Sequence, residues 1–156
     1  MSFSPFNIVL VEPEIPPNTG NIARLCAATG SVLHLIEPLG FSLDDRYLKR
    51  AGLDYWEHVS LKLWPSLESL WKSFPTARFF YLSTKARKSY LAADFRPGDF
   101  IVFGKETKGL SSELLANYPE SSITIPMSEK AVRSLNLSTS VGIVLYEALR
   151  KTGRII

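Results

Sequence analysis

"FNIVLVEPEIPPNTGNIARLC", residues 6–26, is the stretch that decides the fold class. Its opening FNIVLV is apolar apart from Asn7 and reads as a strand. Prolines and the Asn18-Thr19-Gly20 turn signal then interrupt the chain, and a helix is predicted over 19–29. Strand, Gly-containing loop and helix start together form the opening of a βαβ unit. Free N–H groups at such a helix start are a common place for an anion. The dinucleotide fingerprint G-x-G-x-x-G is nevertheless missing, since the chain contains no G-x-G. Asn18, Asn21 and Arg24 therefore have two readings on these residues alone: an anion site, or a capped helix with Arg24 in solvent.

The rest of the chain repeats the pattern. Short apolar runs recur at 7–11, 32–36, 78–82, 100–103 and 122–126, with a further short strand at 58–64. Their nearly continuous apolar character, instead of strict alternation, predicts strands covered on both faces, as in a parallel sheet. Helical patterns lie between them at 44–51, 65–73 and 111–118, and a last helix spans 138–150. Strands alternating with helices predict an α/β fold with a mainly parallel sheet flanked by helices. With no repeat or linker, residues 1–156 read as one domain, long enough to bury about 70% of the surface its unfolded chain exposes. The last helix, "STSVGIVLYEALRKTG", is apolar most of the way round. It is either a central core helix or one covered in part by a second subunit.

Composition narrows the function classes. Apolar residues make up 46% and charged residues 21%, and 18 basic against 15 acidic residues leave a net charge of +3. A mildly basic chain permits nucleic acid as a partner without demanding it. Cys26 is the single cysteine, so no internal disulfide forms, and the chain suits a reducing cytoplasm. In "ARLCAATG" it reads as a compact apolar side chain. No run approaches the roughly 20 apolar residues of a membrane span, and the N-terminus lacks the basic start of a signal peptide. No metal site is expected: His34 and His58 are far apart, and no second Cys joins them at ligand spacing.

Two further segments carry chemistry. "FGKETKGLS" (103–111) spaces Gly104 and Gly109 like a phosphate loop but has Leu110 where that loop needs lysine, which argues against NTP hydrolysis. A glycine directly after an apolar strand marks close backbone approach, and that suits a small molecule at the carboxyl end of a sheet. "IPMSEKAVRSLNLSTSVG" (125–142) ends a strand at Pro126 and enters the last helix through Ser134, Asn136 and Ser138. That is a dense set of neutral donors and acceptors, one of which will cap the helix. Basic groups stand at Lys49-Arg50, at Lys85, Arg87 and Lys88, at Lys105 with Lys108, and at Lys130 with Arg133. Three of these groups follow strands and would form one basic rim if their loops share an end of the sheet.

Taken together, "NTGNIAR" (18–24), "FGKETKGL" (103–110) and "IPM…RSLNLSTSVGIVLYEA" (125–148) resemble the three motifs of the SPOUT (α/β-knot) RNA methyltransferases. "NIVLVEPEIPPNTGNIARLCAATG", "LHLIEPLGF" and "LKRAGLDYWEH" are similar to the TrmL (YibK) family, whose members 2′-O-methylate the wobble nucleotide of tRNA. The resemblance runs from about residue 6 to 150, and the loop "SEKAV" is one residue longer than the pattern.

It implies a trefoil knot in the C-terminal segments, a device general packing rules would not suggest. It also implies an obligate homodimer and bound S-adenosylmethionine. Carried over by position, the cofactor contacts fall at Leu82, Gly104, Ile125 and Ser134, with Glu106 and Asn136 nearby. Arg24 is implied as the catalytic residue, assisted by Asn21, with Asn18 and Asn21 shaping the loop that aims it. Lys85, Arg87, Lys88 and Arg133 join Arg24 in holding RNA. The substrate implied is position 34 of a tRNA anticodon loop, cytidine or modified uridine, with tRNA-Leu expected. Two alternatives stand beside this: the same reaction on another RNA such as rRNA, and a non-catalytic RNA- or nucleotide-binding module.

Overall fold

A computed structural model describes residues 4–52, 56–129 and 131–154. Strand β1 (Asn7–Val11) leads into helix α1 (Pro16–Thr29), followed by β2 (Val32–Ile36), α2 (Arg46–Gly52), β3 (Ser60–Trp64) and α3 (Leu67–Ser73). Then come β4 (Phe79–Leu82), β5 (Lys88–Ser89), β6 (Phe100–Phe103), α4 (Ser112–Asn117), β7 (Ser122–Thr124) and α5 (Leu137–Lys151). All strands are parallel in one seven-stranded sheet of order β3-β2-β1-β6-β4-β7-β5.

The apolar runs are continuous because both sheet faces are covered. Ile8, Leu10, Leu33, Leu35, Phe80, Ile101, Phe103 and Ile123 face α1 and α5, meeting Ile22, Cys26, Val141, Val144 and Leu145. Val9, Tyr81, Phe100 and Val102 alternate with them and face Leu70 of α3, with Leu114 and Leu115 of α4 on the same side. Burial of that many apolar side chains dominates the stability of the layer. Cys26 is fully buried in the first cluster, and burial pushes its thiol up to about 12, well out of reactive range.

Two local expectations change. Residues 16–18 are helix, not loop: α1 starts at Pro16, with proline in its first turn, where the missing N–H costs nothing. Asn18 and Asn21 therefore sit on the helix itself. β5 is a two-residue strand inside the stretch read as a basic loop. The short strand at 58–64 is present as β3, on the sheet edge.

His34 has the structural role its position suggests. The Trp64 indole N–H donates to its Nδ1 at 3.0 Å, so Nε2 carries the proton and faces Asn7 Oδ1 at 2.9 Å. The Asn7 amide in turn donates to the Gly98 carbonyl at 3.1 Å. Burial holds the imidazole down at about 4, with Lys62 adding to the effect, and the ring is neutral.

The right half of the sheet departs from simple βαβ winding. Leu82 at the end of β4 and Lys88 at the start of β5 both pair with Ile123 of β7. Residues 83–87 therefore step from one side of β7 to the other at a single level, crossing over its face. Ser83 N–H donates to the Ile123 carbonyl at 2.9 Å beneath that crossing.

Candidate active site

Because every strand is parallel, the loops after β1, β4, β6 and β7 emerge at one edge of the sheet, the usual ligand edge of α/β folds. In the order β1-β6-β4-β7 they are also side by side. Here Glu12 takes φ +52°, a left-handed conformation uncommon for residues other than glycine and often found at functional sites.

The loop after β6 is tightly curled. Lys105 and Gly109 form an antiparallel bridge, with the Gly109 N–H donating to the Lys105 carbonyl at 2.8 Å. A Cβ added at Gly104 would lie 2.1 Å from the Gly109 carbonyl carbon, and Gly109 itself has φ +65°. The close approach predicted at Gly104 is thus with the loop's own returning backbone.

That curl presents Glu106 to the start of α1. Its carboxylate accepts from the Glu14 N–H at 2.9 Å, the Ile15 N–H at 2.8 Å and the Asn18 side-chain amide at 3.3 Å. Ile15 has no capping side chain of its own, so a carboxylate 91 residues away in sequence satisfies this helix start. The loops also clasp in return: Glu14 accepts from the Thr107 N–H at 3.0 Å and its hydroxyl at 2.8 Å. Those two bonds, the backbone one first, hold the Glu14 carboxyl below its ordinary value.

The third segment joins through Asn18. Asn136 donates its amide to Asn18 Oδ1 at 3.1 Å. Its own Oδ1 accepts from Ser138 at 2.6 Å and from the Thr139 N–H at 3.2 Å, which makes Asn136 the cap of α5. Glu106, Asn18 and Asn136 therefore form one chain of hydrogen bonds across all three segments singled out in the sequence. Asn18 is nearly buried, at 7% exposed, and the fully buried Thr19 hydroxyl beside it lacks a partner among the described residues. Glu14 and Thr107 were not singled out in the sequence, because their partnership is made only by the fold.

Leu82, Gly104 and Ile125 stand at or just past the ends of the adjacent strands β4, β6 and β7. Leu82 and Ile125 are half-buried against the main core. Arg133 and Ser134 are exposed, and the polar groups of 131–135 make no hydrogen bond with other described residues. Asn21 and Arg24 are not brought into this cluster. They lie one turn apart on the exposed side of α1, and Arg24 is about 9 Å along the helix from Asn18 at 1.5 Å per residue. Lys85 and Arg87 are exposed on the loop that crosses β7, with Lys85 Nζ 3.3 Å from the Ser112 hydroxyl, and Lys88 is exposed at the start of β5. Lys130 lies outside the described residues. Among the described residues no group of three His, Cys, Asp or Glu is placed to hold a metal, and no helix is long and apolar enough to cross a membrane.

Comparison with known proteins agrees with this geometry. Residues 5–146 match the model of the SpoU rRNA Methylase family. The tRNA (cytidine(34)-2'-O)-methyltransferase of Aeromonas hydrophila is 48% identical over 148 residues, 94% of each chain. A solved structure concerned with the 2-OH methylation of C/U34 on tRNA superposes with a TM-score of 0.90 at 48% identity, covering 95% of this chain and 96% of the other. An AdoMet-bound rRNA methyltransferase from Sinorhizobium meliloti shares the fold, with a TM-score of 0.83 at 22% identity, over 96% of this chain and 57% of that one.

Proposed function

The chain belongs to the SpoU rRNA methylase family, and from that premise we propose how it works as an S-adenosylmethionine-dependent tRNA (cytidine(34)-2'-O)-methyltransferase. The observation that carries this reading is the hydrogen-bonded chain Glu106–Asn18–Asn136, which assembles all three motif segments at the ligand edge of the sheet. Modified uridine at the same position and tRNA-Leu as the isoacceptor group are the finer parts of the proposal.

The residues present fit the cofactor. Leu82 and Ile125 offer half-buried apolar walls at neighbouring strand ends. Ser134 and the backbone of 131–135 offer hydrogen-bonding groups that no other described residue uses. We assign cofactor contacts to Leu82, Gly104, Ile125 and Ser134. Glu106 and Asn136 hold the loops that carry them, since their own polar atoms are engaged within the protein. When bound, S-adenosylmethionine supplies a methyl group already activated for in-line transfer. The protein must then place the ribose 2′-OH, assist loss of its proton and exclude water. Arginine barely deprotonates in proteins, so Arg24 stabilises the developing alkoxide or fixes the adjacent phosphate instead of acting as a free base. Asn21, one turn before it, helps orient that group.

Lys85, Arg87, Lys88 and Arg133 supply the RNA-backbone contacts. The loops that bear them follow adjacent strands, and that supports a single basic rim. We also propose a cytoplasmic homodimer in which residues 1–156 act as one unit. Supporting it, α5 buries Val141, Val144, Leu145 and Ala148 on one side, while Tyr146 on the other remains 45% exposed. The trefoil knot belongs to the proposal too, with the crossing of 83–87 over β7 as its local support.

The test incubates the protein with methyl-labelled S-adenosylmethionine and total tRNA and maps the labelled nucleoside. Label at the wobble ribose is expected. Cofactor binding without label at a wobble ribose selects another RNA substrate such as rRNA, and no cofactor binding selects a non-catalytic module. Arg24→Ala should abolish transfer with cofactor affinity nearly intact, and loss of cofactor binding in that variant refutes its assignment.

A further inference from the structure

Two clefts adjoin one another, beginning at the outer side of the loop after β4. The first, about 410 Å³, is walled by Lys85, Arg87 and Lys88 over a floor that includes Leu115 and Pro119. The second, about 530 Å³, is floored by the rings of Trp71, Phe79, Tyr81 and Tyr118. Lys88 and Glu120 line both, so the two form a continuous groove. It runs from the loop that leaves the ligand edge back along β4 towards the start of that strand. Four residues of β4 span about 13 Å.

The groove changes character along its length. At the basic end, Arg87 and Lys88 are exposed and take part in no salt bridge among the described residues. At the aromatic end the polar edges are spoken for, because the Trp71 indole N–H donates to the Tyr81 hydroxyl at 3.1 Å. Tyr118 stacks on Tyr81 with ring centroids 5.2 Å apart and remains 39% exposed. A ring backed by a second ring, with its own surface open, is a stacking platform. Arg78 at this end is already committed, to Asp99 and to the Asp94 carbonyl. Asp94 itself pairs with Arg96. Glu120 is the remaining carboxylate. It stands where the two clefts meet, and it can accept a hydrogen bond from the amino group of a nucleobase. Cations for a backbone, followed by aromatic faces for bases, is the composition of a single-strand RNA track.

We propose that this groove binds the RNA next to the target nucleotide. Its phosphates lie on Lys85, Arg87 and Lys88, and an unstacked base lies on Tyr118 within reach of Glu120. The proposal rests on the tRNA-methyltransferase reading for the identity of the RNA, and it places recognition on this groove as well as at the ligand edge.

Equilibrium binding of unmodified tRNA, measured without turnover, separates the two readings. Tyr118→Ala should weaken tRNA binding roughly tenfold or more, with S-adenosylmethionine affinity unchanged, and Tyr118→Phe should restore it. Independently of the packing around Tyr118, Arg87→Ala with Lys88→Ala should lower the slope of log affinity against log salt by about 1.4, from about 0.7 per cation on single strands. Unchanged tRNA affinity in Tyr118→Ala overturns the base site, and an unchanged salt slope in the double variant overturns the backbone site. Wild-type protein that binds tRNA through this groove but leaves the wobble ribose unmethylated would refute the proposed function and leave the groove standing.

Discussion

Removing the Glu106 carboxylate tests whether it is a structural clasp or a cofactor ligand. In Glu106→Ala the part-buried Glu14 N–H loses its acceptor, at about 1–3 kcal/mol for a donor left unsatisfied. The Ile15 N–H is exposed and regains water, so its share is that of a lost helix cap, about 1 kcal/mol. The 3.3 Å contact to Asn18 is long and adds little by itself. The expected loss is about 2–4 kcal/mol, a fall of roughly 6–12 °C in melting temperature for about 3 kcal/mol in a domain of this size. It should be measured by thermal and urea unfolding of cofactor-free protein, where a ligand role has no effect. A double-mutant cycle with Asn18→Ala should return a coupling of at least about 0.5 kcal/mol, since the two side chains touch. A cofactor-free Glu106→Ala protein that melts within about 1 °C of wild type, yet no longer binds S-adenosylmethionine, would refute the reasoning and make Glu106 a direct ligand.

Three other outcomes follow from the described contacts. His34 is neutral in the fold and held at about 4 against an ordinary 6.5, so below pH 6.5 the unfolded chain takes up the proton first. Stability should fall as pH drops from 6.5 to about 4, by up to about 3 kcal/mol, in urea midpoints. The raised carboxyl of Asp99 acts in the opposite sense, so His34→Gln, which keeps a donor and an acceptor, is the control that should lose this slope. Gly104→Ala should destabilise by about 3 kcal/mol or more, because its Cβ meets backbone at 2.1 Å; a normal melting temperature refutes the curled loop. Cys26 should react with a thiol reagent only at the rate of unfolding, and rapid labelling of the native protein contradicts its burial.

Much of the layer architecture was legible because its cause is local. The runs at 7–11, 32–36 and 100–103 are apolar on both sides of the pleat, and only a sheet covered on both faces asks for that. The start of α1 was misplaced because Pro16 and Pro17 look like loop residues, although they are compatible with a first helical turn. Further, α1 lacks a capping side chain in its own sequence: the cap is Glu106, supplied across the fold. β5 escaped notice for a related reason. Two residues, Lys88 and Ser89, carry no apolar signal, and they are a strand only because β7 lies beside them. The three motif segments were each visible, and Gly104 correctly marked a close approach. That the approach is to Gly109 depends on how the loop curls, and that Asn18 ties Glu106 to Asn136 depends on contacts between residues 88 and 118 positions apart.

The place of β7 has a consequence for the nascent chain. β5 pairs with no other strand, so until residues 122–124 are made it has no sheet neighbour. The helix that covers the main core, α5, is made later still. A ribosome-bound chain that has emerged only as far as α4 can already pair β1, β2, β3, β4 and β6, yet it lacks the strand end that carries Ile125. The hydrogen-bonded chain Glu106–Asn18–Asn136 thus closes only in the last act of synthesis, when Asn136 arrives at the start of α5.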